Sequence, residues 1–246
     1  MKILALHGFL GRGLDFQPLM QALANGPASQ RQLQFVTPSL FDPLSEAQFP
    51  QDFSDWQKRK GPALLRESSA RVLIGYSFGG RLALELFFSN PDAIDLVIVL
   101  GSNLGLLSSA EKKERIASDQ AWAEQLSTLS WEEFNHHWNS QAIFKNEAQA
   151  TPPRYSGDYS VASLQRALTH FSLGHMQTSP SALKRYKEKL YFFSGERDPK
   201  ITPLYAELAQ QGVIANWQVL PAAGHRLLHE NPSSLADRLV RILNLV

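Results

Sequence analysis

Short apolar runs recur along the chain, separated by stretches that are long enough for helices. Six of these runs have the composition of β-strands, namely residues 3–6, 34–37, 72–75, 96–100, 190–193 and 217–220. Runs that are apolar at nearly every position are typical of strands buried on both faces. The pattern therefore predicts a mainly parallel sheet flanked by helices, which is the α/β class.

The segments between the strand runs contain apolar residues near helical spacing with polar residues between them. Residues 14–24, 81–88, 203–211 and 233–245 show this pattern. Parallel strands need crossover connections, and a helix is the usual one. These four segments are predicted to be the crossover helices.

Between Leu100 and Leu190 no segment has the pattern of a strand, and the composition changes. Helices are predicted there at 111–126, 131–138 and 161–173, with Pro152 and Pro153 breaking the region in the middle. The region is either a second domain or a helical lid inserted into the sheet domain. The lid is favoured because strand-like runs resume afterwards. The predicted boundaries are 1–102 and 181–246 for the core and 103–180 for the lid.

The composition restricts the class of protein and its partners. A chain of 246 residues, 43% hydrophobic and 19% charged, fits one globular domain and excludes a disordered chain. The 24 basic and 23 acidic residues nearly cancel, so nucleic acid and anionic membrane surfaces are not expected partners. The sequence has no cysteine and no apolar run long enough to span a membrane. We expect a cytoplasmic protein that acts on a small molecule, and its oligomeric state stays open.

Candidate chemistry begins with a G-x-S-x-G pattern, formed by Gly75, Ser77 and Gly79 between a strand run and a helical pattern. This is the setting of a nucleophile elbow, a strained turn that exposes the serine hydroxyl. The glycines allow the strand and the helix to approach closely. Ser77 is therefore the candidate reactive residue.

A serine hydroxyl needs a histidine to activate it, and the histidine needs a carboxylate to orient it. Of the seven histidines, His225 is the best candidate because it follows the last strand run, at the sheet edge where Ser77 is expected. Asp198 lies in the loop beyond the fifth strand run and is the preferred carboxylate. Glu196 is the alternative, closer to the strand end.

The first strand run leads directly into a glycine-bearing loop, His7-Gly8-Phe9-Leu10-Gly11. Such a loop can aim the backbone amide of Phe9 at the same point as the amide of Phe78, which follows Ser77. The two amides are predicted to form an oxyanion hole.

These motifs, together with the chain order Ser77, Asp198, His225, resemble the α/β-hydrolase superfamily. More narrowly, the chain is similar to the SHCHC synthase (MenH) family of menaquinone biosynthesis, which makes 2-succinyl-6-hydroxy-2,4-cyclohexadiene-1-carboxylate. The narrower resemblance depends on Arg81 and on the lid pattern, which consists of Gly105-Leu106, Glu114-Arg115, Ser118-Asp119, Trp122-Ala123, Trp138 and Phe144.

The resemblance implies an α/β-hydrolase fold with a helical lid and a lyase that uses neither a metal nor an organic cofactor. Such a lyase removes a proton from a succinyl-bearing cyclohexene and expels its enolpyruvyl side chain as pyruvate. By position, Ser77 would be the base, activated by His225 and Asp198, and the Phe9 and Phe78 amides would stabilise the enolate. The implied substrate-binding residues are Arg81, Arg115 and Arg154 for carboxylates and Trp138 for the lid side of the pocket.

Some of these roles have alternatives that the residues alone leave open. Arg81 lies about one helical turn after Ser77, where a bidentate guanidinium suits an anionic substrate, but it also fits a helix surface. Arg115 equally fits a solvated charge, and Trp138 fits the packed core of the lid. The same triad would also serve a carboxylesterase or thioesterase with Ser77 as nucleophile. A non-catalytic binding protein is the third alternative.

Overall fold

The six predicted strands form one sheet in the computed structural model, which describes residues 1–26, 32–145 and 152–244. The strands are β1 Lys2–Leu6, β2 Gln34–Val36, β3 Val72–Tyr76, β4 Leu96–Leu100, β5 Leu190–Gly195 and β6 Asn216–Leu220. Every pairing is parallel, and the order across the sheet is β2-β1-β3-β4-β5-β6. The α/β prediction is confirmed, with the strand ends within two residues of those expected.

The most apolar strands lie at the centre of the sheet, where helices cover both faces. All residues of β3 and β4 are buried, whereas β2 and β6 lie at the edges and are mostly half-buried. This gradient matches a sheet whose central strands lie between two helical layers.

Eleven α-helices lie in the described part of the chain. They are α1 Gln17–Asn25, α2 Phe53–Asp55, α3 Gly61–Ser68, α4 Phe78–Ser89, α5 Ser109–Thr128, α6 Trp131–Asn139, α7 Val161–Thr169, α8 Pro180–Arg185, α9 Ile201–Gln210, α10 Leu227–Glu230 and α11 Pro232–Leu243. All four predicted segments form helices, namely α1, α4, α9 and α11. Helices α1, α4 and α9 connect parallel strands, whereas α11 follows β6, the last strand of the described sheet, so the prediction of a crossover was wrong there. The predicted end of the last helix, residue 245, lies outside the described residues.

The helices α5, α6 and α7 lie between β4 and β5 in sequence, where the lid is predicted. Helix α5 begins after Ser108, whose hydroxyl accepts hydrogen bonds from the amides of Ala110 and Glu111. The third predicted helix is shorter than expected, because α7 ends at Thr169 and a short 3₁₀ turn, Leu173–His175, follows it. The boundaries at residues 103 and 180 stay a prediction. No helix in the described ranges is long and apolar enough to cross a membrane.

The parallel arrangement places the carboxyl ends of all strands at one edge of the sheet. The candidate residues follow those ends: Phe9 after β1, Ser77 after β3, Asp198 after β5 and His225 after β6. In open parallel sheets this edge is where ligands bind.

Candidate active site

Ser77 lies in a sharp turn between β3 and α4 with φ of 51° and ψ of −109°. Its amide donates to the carbonyl of Leu100 at 2.8 Å, which fixes the turn against β4. A side chain at Gly79 would place its Cβ 2.0 Å from the carbonyl oxygen of Leu6, so only glycine permits this approach of helix and strand. The turn has the strained geometry of a nucleophile elbow.

The structure brings Ser77, His225 and Asp198 together in one hydrogen-bonded chain. Nε2 of His225 lies 3.2 Å from Oγ of Ser77, and Nδ1 of His225 lies 2.7 Å from Oδ2 of Asp198. The histidine and the aspartate are buried. Ser77 and His225 are 148 positions apart in the sequence, so the fold alone makes this contact.

The carboxylate of Asp198 is fixed on both oxygens. Its Oδ1 accepts hydrogen bonds from the amides of Lys200 and Ile201, at 2.9 and 2.8 Å. Burial by itself would raise the pKa of Asp198, but the hydrogen bond from His225 and those two amides outweigh burial, so the pKa is lowered. Glu196, the alternative, is exposed and accepts a hydrogen bond from the amide of Ala222 instead. The structure therefore places Asp198, and not Glu196, beside the histidine.

Phe9 and Phe78 lie beside the serine. Both residues line the same cavity as Ser77, and a Cβ on Gly8 would lie 3.4 Å from the Cβ of Ser77. In the described ranges, neither amide donates a hydrogen bond outside the regular helix and strand ladders. Amide donors in this arrangement are available to a ligand oxygen.

The loop that contains Phe9 is braced by the buried His7. The amide of Leu40 donates to Nε2 of His7 at 2.8 Å, so Nδ1 carries the proton and donates to the carbonyl of Gly8 at 2.8 Å. Burial lowers the pKa of His7 to about 4, which keeps the ring neutral.

A cavity of about 290 Å³ opens beside Ser77 and His225 and contains Arg81. The Nη1 atom of Arg81 donates to the carbonyl of Phe171 at 2.8 Å, and the guanidinium lies 5.0 Å from the centre of the Phe78 ring. Burial, and to a lesser extent the nearby Arg115, lower the pKa of Arg81 to about 9, against the opposite influence of Asp119. The site is therefore electrostatically prepared for an anion.

Arg115, on α5, lines the same cavity and forms an ion pair with Asp119 at 2.8 Å. Asp119 is a cavity residue beyond those predicted, although its spacing of four residues from Arg115 on one helix is a recognisable signal for such a pair. With Arg81, Arg115 and Lys200 against Asp119, the cavity wall has two more positive than negative charges. In the described part of the chain, no group of three or more His, Asp or Glu residues could hold a metal ion.

Arg154 does not line the cavity that contains Arg81 and Arg115. It lies on the other side of Ser77, at a smaller cavity of about 60 Å³ that also contains Arg226 and His229. Its guanidinium forms an ion pair with Asp15 at 2.9 Å, with both side chains largely buried. Asp15 was not predictable as a site residue, because 139 residues separate the two partners and no local pattern links them.

An aromatic wall separates the two cavities. Phe9, Trp138 and Phe144 line both, and the rings of Phe9 and Trp138 are 4.6 Å apart. Phe144 lies edge-on to His225, with the guanidinium of Arg226 4.2 Å from its ring centre. Trp138 therefore both packs in the aromatic core and faces the cavity, so the two roles that its sequence position allows are compatible.

Comparisons with known proteins agree with this geometry. Residues 3–238 match the model of the alpha/beta hydrolase family. The chain is 32% identical over 178 residues to 2-succinyl-6-hydroxy-2,4-cyclohexadiene-1-carboxylate synthase of Escherichia coli O1:K1 / APEC, covering 70% of this chain and 67% of the relative. It is 29% identical to the enzyme of that name from Enterobacter sp. (strain 638), covering 98% of this chain and 90% of the relative.

The solved structure of MenH from S. aureus has the same fold, with a TM-score of 0.83 and 21% identity over 99% of this chain and 93% of that one. The resemblance noted from the motifs is thus confirmed. The chain is an enzyme that belongs to the alpha/beta hydrolase family and has SHCHC synthases among its relatives.

Proposed function

We propose that this enzyme is a carbon–oxygen lyase that makes SHCHC in menaquinone biosynthesis. Its substrate would be a succinyl-enolpyruvyl-hydroxycyclohexene-carboxylate, and its second product would be pyruvate. The relatives with the synthase name support this reaction. We propose the cytoplasm as its location, in keeping with a sequence that has no cysteine for stabilising disulfides.

The observation on which the proposal depends is the position of Arg81 in the cavity beside Ser77. A buried guanidinium with a lowered pKa gains most from an anionic partner, since a carboxylate restores the charge balance that burial disturbs. Arginine can bind a carboxylate through two parallel hydrogen bonds. Arg115 would bind a carboxylate on the same side, and Arg154, oriented by Asp15, would do so at the smaller cavity.

The chain Asp198–His225–Ser77 would perform the proton transfer. His225 Nε2 accepts the hydroxyl proton of Ser77 as Ser77 Oγ removes the ring proton next to the succinyl carbonyl. The electron pair of the broken C–H bond enters the ring and expels the enolpyruvyl oxygen. The released enolpyruvate gains a proton on carbon and becomes pyruvate. Asp198 stabilises the imidazolium during this step.

The developing negative charge on the succinyl carbonyl oxygen would be stabilised by the amides of Phe9 and Phe78. Preorganised amides at such a position contribute mainly to the transition state. Trp138, which faces both cavities, would cover the ring of the substrate and exclude water.

A carboxylesterase or thioesterase is the second candidate, because the Ser77–His225 distance equally suits Ser77 as an acyl nucleophile. The two reactions share the triad and the amides, and they differ in the substrate. The fold does not decide between them.

The deciding experiment compares pyruvate release from the succinyl-enolpyruvyl substrate with hydrolysis of simple aryl esters. We expect rapid pyruvate release and little ester hydrolysis, and a loss of several orders of magnitude in Ser77→Ala and in His225→Ala. Efficient ester turnover without pyruvate release would disprove the lyase. Arg81→Lys should lower kcat/KM for pyruvate release, because lysine cannot form the bidentate contact. The expected loss corresponds to about 1.5 to 3 kcal/mol of transition-state stabilisation.

A further inference from the structure

Two ion pairs and a hydrogen bond join the loop at residues 8–15 to residues 154–160. We call the first segment the oxyanion loop and the second the clasp segment. Asp15 forms an ion pair with Arg154 at 2.9 Å, and Arg12 forms one with Asp158 at 2.6 Å. The hydroxyl of Tyr159 donates to the carbonyl of Leu10 at 2.9 Å. The two ion pairs run in opposite directions, with the acid on the loop in one and on the clasp segment in the other.

The Tyr159 contact meets the oxyanion loop where its backbone is strained. The amide of Gly11 donates to the carbonyl of Gly8 at 2.9 Å, so Phe9 and Leu10 occupy the centre of a tight turn. Leu10 has φ of 54°, in the left-handed region that favours glycine. A leucine keeps this conformation only when its surroundings hold it there. The Leu10 carbonyl and the Gly11 amide belong to one peptide, so the hydrogen bond from Tyr159 fixes the peptide that in turn donates to the carbonyl of Gly8. The Gly8 carbonyl and the Phe9 amide are likewise one peptide.

The clasp segment is itself firmly joined to the helices above the cavity. The indole of Trp131, on α6, donates to the carbonyl of Arg154 at 2.7 Å. The ring of Tyr159 stacks on Trp131 with 5.2 Å between centres and is almost fully buried. Burial raises the pKa of Tyr159 to about 12, so the hydroxyl remains a donor at physiological pH. Helix α7 begins directly after the clasp segment, and its residues Ala167 and Leu168 line the larger cavity.

We propose that Tyr159, together with the Arg12–Asp158 and Asp15–Arg154 pairs, positions the amide of Phe9 for catalysis. Packing of helices α5–α7 above the cavity is thereby coupled to formation of the oxyanion hole. Tyr159 is a positioning residue, because it acts through Leu10 and does not touch the reacting atoms. The inference rests on the proposed function only in requiring an oxyanion at the Phe9 amide, which both candidate reactions form.

The main test is Tyr159→Phe, which keeps the ring stacked on Trp131 and removes only the hydroxyl. We expect kcat for pyruvate release to fall about tenfold with KM changed less than twofold, since the Phe9 amide acts in the transition state. The matched control is Tyr155→Phe, an exposed tyrosine of the same segment, which should leave both constants unchanged. Unchanged kcat in Tyr159→Phe would overturn the inference.

A second variant separates positioning from general stability. Glycine adopts φ of 54° without strain, so Leu10→Gly reduces the need for the Tyr159 contact. In the Leu10→Gly background, Tyr159→Phe should therefore lower kcat by less than threefold. An equal loss in both backgrounds would show that the hydroxyl only stabilises the fold.

The ion pairs are tested by exchange of charge. Arg12→Asp and Asp158→Arg should each lower kcat, and the double variant should recover most of it. All variants are also assayed on aryl esters. If the wild type turns over only esters, the lyase proposal fails, and a tenfold loss of ester kcat in Tyr159→Phe still supports the clasp.

Discussion

Ser77 has a backbone conformation that serine rarely adopts, and the neighbouring glycines make it possible. A residue held at φ of 51° and ψ of −109° costs about 1 to 3 kcal/mol. Gly75 and Gly79 allow α4 to approach β3 and β1 so closely that the turn has no other course. The strain is the structural cost of exposing the hydroxyl to His225.

Relief of this strain should be measurable. We predict that Ser77→Gly raises the free energy of unfolding by about 1 kcal/mol, because glycine adopts this conformation freely, while turnover is abolished. Ser77→Ala removes the hydroxyl but keeps the strain, so its stability should stay near that of the wild type. Urea denaturation of the three proteins makes the comparison. A Ser77→Gly protein no more stable than Ser77→Ala would contradict the strained turn.

The lowered pKa of His7 should make the folded state less stable in acid. Its pKa is about 4 in the folded state against an ordinary value of 6.5, so the unfolded chain binds the proton more readily. The stability that neutral His7 provides is therefore complete above pH 6.5 and is lost as the pH falls toward 4. The loss amounts to about 3 kcal/mol.

The measurement is the difference in unfolding free energy between the wild type and His7→Gln from pH 7 to pH 4. We expect this difference to move by about 3 kcal/mol in favour of the variant as the pH falls. His170→Gln, which changes an exposed histidine, should follow the wild type. A pH-independent difference for His7→Gln would show that His7 titrates normally.

At the scale of secondary-structure elements, one buried carboxylate joins α4 to the chain that returns to the sheet. Oε1 of Glu85 accepts hydrogen bonds from the amides of Gln177 and Thr178, at 2.8 and 2.9 Å, and from the Thr178 hydroxyl at 3.0 Å. Its other oxygen, Oε2, accepts a hydrogen bond from the side-chain amide of Gln57. The residues just before α8 are thereby fixed to the core.

We predict that Glu85→Gln lowers the free energy of unfolding by about 1 to 3 kcal/mol, because the new amide group faces the donor on Gln57. The added substitution Gln57→Glu provides an acceptor again and should restore much of the loss. Urea denaturation at pH 7 of both single variants and the double variant gives the coupling. Additive effects would mean that the two side chains do not interact.

The sequence was sufficient to predict the strands and the meeting of Ser77, His225 and Asp198, but not every helix. The six strands were predictable because central parallel strands are apolar at nearly every position, and Asp198 and His225 because they follow such strands. The helical segment from Phe53 to Ser68 was missed. Its middle is a π-helical turn, Trp56–Lys60, and the Gly61-Pro62 pair that follows has the pattern of a break, although Pro62 lies at the start of α3, where proline is tolerated.

Contacts between distant segments explain what else was missed. The pairing of Arg154 with Asp15 and the bond from Tyr159 to Leu10 join residues 139 and 149 positions apart. No periodicity or motif records such pairs in a single sequence. The identity of a charged residue is therefore readable from the sequence, whereas its partner depends on the folded chain.

At the scale of the whole molecule, charge is nearly balanced overall but not in the cavity. The chain has a formal net charge of +1, while the cavity wall beside Ser77 contains Arg81, Arg115 and Lys200 against Asp119. The proposed affinity for anions would therefore be a local property of the cavity, with little contribution from long-range attraction. A small dicarboxylate should recognise this wall even without the ring of the proposed substrate.

We predict that succinate raises the melting temperature of the enzyme in a concentration-dependent way, at constant ionic strength. A ligand that binds only the folded state stabilises it by RT ln(1 + [L]/Kd), and each kcal/mol corresponds to about 2 to 4 °C for a protein of this size. Succinamide has the same shape without charge and should have no effect. In Arg81→Gln the succinate effect should be much weaker, because the larger cavity loses its buried guanidinium and keeps only Arg115 and Lys200. In Arg241→Gln, which changes a residue outside the lining of this cavity, the effect should persist. Equal stabilisation of the wild type and Arg81→Gln would place the anion site elsewhere and remove the main support for a polycarboxylate substrate.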